Sequence, residues 1–350
     1  MIRIDNHIHS RTRSRIRKVV AAACGIVLGF GALAACGNAN ASQQATANDK
    51  TIAIGYQTGM SSLTIVKEQG KLAQELKKQG YTLTWHKFTS TSDMVEAASA
   101  STNNIEFGGG GATGTIFAQA AKKPIVKVAA VGGIQHGSAI FTRSDSGITS
   151  IKQLKGKKVA VTKGTLQEYV IASALKQVGL KYSDIQPVYI APSDALAAYK
   201  RGGQFDAWAT WNPLVAQAQA ATPTTILADN STIWGAKSTQ QGASYYFAAG
   251  SWLPSHKKET ETILKAIRGA DEWVKENPED AAKLLSKIWN ADYEPMLATV
   301  KDNASSEGTL PIDDSFLKAY QEQANLFTDL KVIPTKIDAF DTNYYWKSSE

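Results

Sequence analysis

The sequence predicts an α/β protein divided into two lobes around largely parallel sheets. From Thr51 onward, short β-branched runs alternate with helical patterns, the signature of strands joined by crossover helices. About 315 residues follow position 35, which exceeds one comfortable core and implies two domains. After Leu253 the pattern becomes helical and is broken at Asn277-Pro278.

The first element is a leader. Arg3, Arg11, Arg13, Arg15, Arg17 and Lys18 precede an uncharged run from Val19 to Ala35 that stops at Cys36, the layout of a secretory signal. The run is rich in Gly and Ala and shorter than the roughly 20 strongly apolar residues of a spanning helix. Leu33-Ala34-Ala35-Cys36 resembles the lipobox of bacterial lipoproteins, which implies lipidation of Cys36 and an extracytoplasmic protein anchored to the cell membrane, periplasmic in a cell with an outer membrane. Residues 36–49 are small, polar and nearly uncharged, as a flexible tether should be.

In the body, TIAIGY, IVKVAAV, KKVAV, QPVYI and FDAWATW read as strands. LQEYVIASALKQVG reads as a helix, with Val170, Ile171, Ala174, Leu175 and Val178 at helical spacing and Gly179 as its left-handed stop. Thr165 and Glu168 form a capping-box pattern before it, and Ser193 is the expected cap of the next helix, which runs to Gly202. No Pro/Gly-rich linker separates the lobes. The expected division is at crossover strands near Phe141 and Ser244, with 50–142 plus 243–350 as lobe I and 143–242 as lobe II.

Composition removes several functions. Residues 1–35 carry +5 of the formal +7, leaving +2 for the rest, so the high isoelectric point does not describe a nucleic-acid surface. The only cysteines are Cys24 and Cys36, so the body has no disulfide, thiol nucleophile or cysteine metal site. His86, His136 and His256 stand far apart, without metal-ligand spacing. No G-x-S-x-G elbow occurs, and no catalytic residue, cofactor or metal is expected.

Gly109, Gly111 and Gly114 fit the dinucleotide pattern G-x-G-x-x-G, yet no acidic residue lies between Gly114 and Asp145 to bind a ribose. Glycine turns that open helices can instead present N–H groups and a helix dipole to an anion. Three such turns are expected: Gln57, Thr58, Gly59, Met60, Ser61 and Ser62; Gly108 to Gly114, including Gly109, Gly110, Gly111, Ala112 and Thr113; and Lys163, Gly164 and Thr165. If they face one cleft they clamp a small oxyanion. Hydrogen bonds to a charged group contribute roughly 1.5–3 kcal/mol each, and micromolar binding needs about 8 kcal/mol. In this reading Thr165 accepts the capping N–H while its own proton points at the ligand. Trp208, Trp211 and Asn212, and further on Ser244 and Tyr245, supply aromatic walls with polar neighbours.

At IGYQTG, IFAQAA, GLKYSDIQPVYIAPSDALAAY and DAWATWNP the chain resembles the solute-binding proteins of bacterial ABC importers for aliphatic sulfonates, taurine and nitrate, nearest to the aliphatic-sulfonate binders. The resemblance runs from about Ile52 to the end. It implies a two-lobe periplasmic-binding-protein-like fold (type II), two crossover hinge strands, a ligand cleft between the lobes and delivery to permease and ATPase subunits by a monomer. It points to Gln57, Ser62, Gly109 to Gly111, Gly164, Thr165, Trp208, Trp211, Ser244 and Tyr245. Gly109 and Gly110 stand where relatives often carry Ser or Thr, Ala112 where an Asp is familiar, and Asn212 where their W-D-P has Asp. Two missing carboxylates favour a sulfonate without a positive charge over taurine. Nitrate, taurine and a thiamin pyrimidine precursor are the alternative ligands, and an extracytoplasmic enzyme on the same fold is the alternative class.

Overall fold

The computed structural model describes residues 50–100, 105–304, 306 and 308–347; the leader, Cys36 and the tether lie outside the described residues. Eleven strands are described: β1 (Lys50–Tyr56), β2 (Tyr81–Lys87), β3 (Phe107–Gly111), β4 (Ile125–Val131), β5 (Ser138–Arg143), β6 (Lys158–Val161), β7 (Gln186–Tyr189), β8 (Ala207–Trp211), β9 (Thr224–Asp229), β10 (Ser244–Ala249) and β11 (Thr309–Leu310). They form two sheets, of order β11-β4-β10-β3-β1-β2 and β7-β6-β8-β5-β9.

The helices are α1 (Ser61–Gln69), α2 (Lys71–Lys78), α3 (Thr91–Ser99), α4 (Ala112–Ala120), α5 (Leu166–Gln177), α6 (Pro192–Arg201), α7 (Leu214–Ala221), α8 (Asn230–Trp234), α9 (Ser238–Gln241), α10 (Lys257–Glu276), α11 (Pro278–Trp289), α12 (Tyr293–Ala304) and α13 (Asp314–Asp329). No described helix is long and apolar enough to cross a membrane.

The two sheets follow one plan. In each, a first strand pairs in parallel with its successor on one side and with a later strand on the other: β2-β1-β3 and β7-β6-β8. A strand arriving from the other half then adds antiparallel, β10 beside β3 and β5 beside β8. Central strands such as β1 are buried along Ile52–Gly55, which is why they read as near-continuous apolar runs.

All five strands and the main helix read from the sequence are present. Helix α5 ends at Gln177, and Gly179 takes φ 77°, the left-handed stop expected of it. The break at Asn277-Pro278 separates α10 from α11, with Pro278 opening the second helix.

Three local expectations are corrected. Helix α6 starts at Pro192 with Ala191 as its cap, so Ser193 lies inside the first turn and caps nothing; proline pre-set for the first helical position decides the boundary. Thr165 caps α5 without a side-chain hydrogen bond, because its hydroxyl donates to the Thr162 carbonyl at 2.6 Å. The strand at Phe141 does not cross between sheets, whereas β10 opens at Ser244 in the first sheet, beside the expected division at 242/243. All of β5 pairs within the second sheet, so Ser138 to Thr142 belong with the residues expected in lobe II.

The chain instead passes between sheets through 132–137 and 230–243, and these two passages are bonded to each other. Gly133 N–H donates to the Thr239 carbonyl at 2.8 Å, Ser231 N–H to Gln135 at 3.0 Å, and the Asn230 amide to Ile134 at 2.7 Å. A Cβ on Gly133 would lie 2.7 Å from the Gly242 backbone, so only glycine lets the passages run this close.

Candidate functional site

In an open α/β sheet, ligands bind beyond the carboxyl ends of the parallel strands where the strand order reverses. Here that point lies between β1 and β3 in one sheet and between β6 and β8 in the other. The turns that follow these four strands are Gln57 to Met60, Gly111 into α4, Thr162 to Thr165, and Trp211 to Pro213, the last across a cis peptide bond.

These turns meet. A Cβ built on Gly59 would lie 3.3 Å from Trp211 Nε1, one on Gly111 would lie 3.8 Å from Leu166, and one on Gly164 would lie 3.4 Å from the Phe117 ring. The Gln57 amide donates to Thr91 Oγ1 at 3.1 Å. Residues of both sheets therefore surround one spot, with the N-termini of α1, α4 and α5 around it. Helix α3 adds a fourth N-terminus, capped by Ser90, whose hydroxyl accepts the Asp93 N–H at 3.1 Å. Ser92 Oγ stands 4.0 Å from a Cβ built on Gly164. The sequence reading missed this turn, although Ser90 and Asp93 hold the S-x-x-D spacing of a helix start.

Other expected site residues are engaged elsewhere. Gly108 to Gly111 are strand residues in register with Phe247 to Ser244, not a free phosphate-type loop, so alternate backbone groups belong to the β10 ladder. Their small size serves close packing: a Cβ on Gly109 would lie 2.6 Å from the Tyr246 ring, and one on Gly110 would lie 2.6 Å from Gln57 Nε2. Ala112 is buried, and Thr113, 1% exposed, accepts from Gln323 Nε2 at 2.8 Å.

Trp208, also 1% exposed, packs with Phe141, Tyr199 and Phe205 in the core of the second half and walls no cleft. Tyr245 is buried and donates its hydroxyl to the Phe316 carbonyl at 3.3 Å. Ser62 donates to Asp271, and Ser61 accepts from the Asn303 amide at 3.3 Å. Thr58 is exposed on the first turn, while Gln57, Trp211, Asn212 and Ser244 are half-buried at the strand ends.

The third turn carries its own anion. Gly164 N–H donates to Glu168 Oε2 at 2.6 Å, and Glu168 is 3% exposed. The carboxylate thus folds back onto the turn and takes the N–H that the sequence reading reserved for a ligand. Asp271, held by Ser62 and by the Thr309 N–H at 2.9 Å, has its carboxyl raised above the ordinary range by burial, against the pull of those hydrogen bonds.

Two cavities flank the facing turns. One of about 70 Å³ lies against Gly59 to Ser62, Tyr246, Asp271 and Asn303. The other, of about 320 Å³, lies between α7 and α12 and is lined by His136, Asn212, Asp229 and Asp302 with Val215 and Ile226. Two carboxylates facing one imidazole make the larger space a poor seat for an oxyanion. Among the described residues no cluster of three His, Cys, Asp or Glu side chains could hold a metal.

Two sheets of this order, with helix-opening turns converging between them, define the periplasmic-binding-protein-like (type II) class of α/β fold. The chain belongs to the NMT1/THI5-like family, whose sequence model matches residues 77–281. A protein of Escherichia coli named for binding aliphatic sulfonates is 29% identical over 294 residues, 84% of this chain and 88% of that protein. Its namesake in Bacillus subtilis is 30% identical over 309 residues, 88% of this chain and 90% of that protein.

Among solved structures, the periplasmic aliphatic sulphonate binding protein of E. coli aligns with a TM-score of 0.75 at 27% identity, covering 86% of this chain and 93% of that one. The alkanesulfonate-binding protein of Xanthomonas axonopodis pv. citri, bound to MOPS, aligns with the same score at 24% identity over 85% of this chain and 98% of that one. A desulfurization enzyme shares the fold at 12% identity and a TM-score of 0.62, covering 84% of this chain and 96% of that one. The family resemblance read from IGYQTG through DAWATWNP is borne out.

Proposed function

We propose that this chain is the solute-binding component of an ABC importer and takes an aliphatic sulfonate between its two halves for sulfur acquisition. The observation that carries the reading is the convergence of helix-opening turns from both sheets, with Trp211 Nε1 facing the first turn across Gly59. Helix N-termini and backbone N–H groups receive a compact oxyanion without a buried counter-cation. The indole edge and Phe117 offer apolar wall to an alkyl tail. The relatives named for aliphatic sulfonates support the same ligand class.

In this reading the two sheets are the cores of two lobes, the passages 132–137 and 230–243 are the hinge, and Gln57, Gly111, Thr165 and Trp211 are the contacts nearest the head group. No chemistry is done on the ligand. The protein is extracytoplasmic, held to the membrane by lipid on Cys36, and hands its ligand as a monomer to permease and ATPase subunits. Replacement Cys36→Ser is expected to abolish incorporation of labelled fatty acid and to release the protein from membranes; retention of both would remove the anchor from the account.

A thermal-shift titration with ethanesulfonate, hexanesulfonate, taurine, nitrate and an aminopyrimidine tests the ligand class. Saturation at 100 times the dissociation constant stabilises by about 2.7 kcal/mol, which raises the melting temperature by a few degrees. Shifts with the alkanesulfonates that exceed those with taurine are expected. A response to the pyrimidine alone, or a tenfold preference for taurine, would overturn the ligand class or the inference from Ala112 and Asn212.

A further inference from the structure

The half built on the second sheet touches α12 of the other half through one residue whose chemistry is specific. Asn212, at the end of β8, is held in place twice: its N–H donates to the Gly137 carbonyl at 2.9 Å, and its side-chain oxygen accepts the Ala216 N–H at 3.3 Å in the first turn of α7. With the oxygen so engaged, the amide nitrogen points the other way and donates to Asp302 Oδ2 at 3.3 Å. Asp302 lies on α12, whose Met296 and Val300 pack in the core of the first sheet.

We propose that Asn212 and Asp302 form a latch that holds the two halves together in the facing arrangement, and that the amide at 212 thereby positions the lobes. The proposal rests on the two-lobe binding reading and extends it. An amide meets both demands at this position, accepting with one atom and donating with the other. A carboxylate could still accept the Ala216 N–H, but its second oxygen would face Asp302 at hydrogen-bond distance, where the two acids must repel or take up a proton. Asp229 and Asp302 already line the adjoining cavity, with His136 bonded to Asp229 at 2.7 Å, so a third carboxylate would add to an acidic wall. The departure from W-D-P at Asn212 is therefore matched within this chain by an acid on α12.

The test uses the full-length chain in detergent as wild type, Asn212→Asp, Asp302→Asn and the double replacement, with two readouts. The first is hydrogen exchange of peptides covering Trp211–Ala221 and Tyr293–Ala304 without added ligand. Asn212→Asp should speed exchange in both segments, and the double replacement, which restores one amide facing one carboxylate, should return it to the wild-type rate. The second is hexanesulfonate affinity, expected to fall by about tenfold in Asn212→Asp and to recover in the double replacement.

Unchanged exchange in Asn212→Asp, or a loss that the double replacement fails to restore, would overturn the latch. Failure of the wild type to bind any sulfonate would overturn the proposed function and leave the exchange result to decide the latch.

Discussion

At the scale of single residues, the two tryptophans of one strand separate by role. Side chains alternate along β8, so Trp208 and Trp211 point to opposite faces, and only the second reaches the turns of the other sheet. Trp208→Ala is expected to cost about 3–5 kcal/mol of stability in denaturant unfolding, as a large buried ring does. Trp211→Ala should leave stability nearly unchanged and weaken hexanesulfonate binding in calorimetry by about 1–2 kcal/mol. Equal losses of stability would remove Trp211 from the site. The motif W-x-x-W-N-P announced both rings, and period-two alternation separated them, but nothing in the sequence says which face meets the cleft. Glu168 was legible as part of a capping-box pattern and not as an acid folded back onto Gly164, because that contact depends on the geometry of the turn. Glu168→Gln removes a negative charge beside the proposed anion site, so sulfonate affinity should rise roughly three- to tenfold at low salt. No change in calorimetry would place that carboxylate too far away to matter.

At the scale of elements, the strands that could be read are those whose residues favour strands by themselves. TIAIGY and IVKVAAV are β-branched and buried on both faces, whereas FGGGG has no strand propensity and is a strand because Tyr246, Gln57 and Met60 leave room only for glycine. Strand β4 also carries Lys127, a fully buried lysine that the pattern placed in a strand without exposing the consequence. Its backbone N–H donates to Tyr344 and its carbonyl accepts from Trp346, so the C-terminal segment is strapped to the sheet. Its ammonium stands 4.1 Å from the centre of the Tyr320 ring. Burial pulls this lysine down to about 7, with the charge of Asp341 acting in the opposite sense. The unfolded chain, with lysine near 10.4, therefore binds more protons between about pH 7 and 10, and stability must rise with pH across that window by up to about 1.4 kcal/mol per unit. Urea unfolding at pH 7, 8.5 and 10 should show this rise in the wild type and lose it in Lys127→Met. Asp229 carries the opposite sign. Burial acts to raise it, but the Thr232 N–H, His136 and Ser231 hold it below the ordinary carboxylate value while it caps α8. That stability is present above about pH 4 and is lost as pH falls through the folded value. Asp229→Ala should cost about 1 kcal/mol at pH 7, with the gap to wild type closing in melts below pH 3.

At the scale of the whole molecule, the alternation of strands and helices announced an α/β chain of two halves, and the order of the sheets was out of reach. Each sheet takes in a strand that comes from the other half, β10 and β5, and such an insertion is set by how the chain passes between lobes rather than by any local preference. For the same reason the boundary near Phe141 was drawn through a strand, although the passages that replace it, with Gly132-Gly133 at the first and Gly242 at the second, carry glycines where two backbones touch. The site was legible as a set of turns and not as a set of contacts, since the packing of Trp208 and the hydrogen bonds of Thr113 and Tyr245 depend on partners distant in the chain. The proposed function requires that two halves close turns upon a small sulfonate and release it unchanged. Isothermal titration calorimetry of the ligand-free protein with hexanesulfonate tests it most directly. One site per chain, a dissociation constant in the micromolar range or below, and heat that ends at saturation with the sulfonate recovered intact are expected. No heat with any alkanesulfonate, or a steady heat of turnover with loss of the sulfonate, would contradict it.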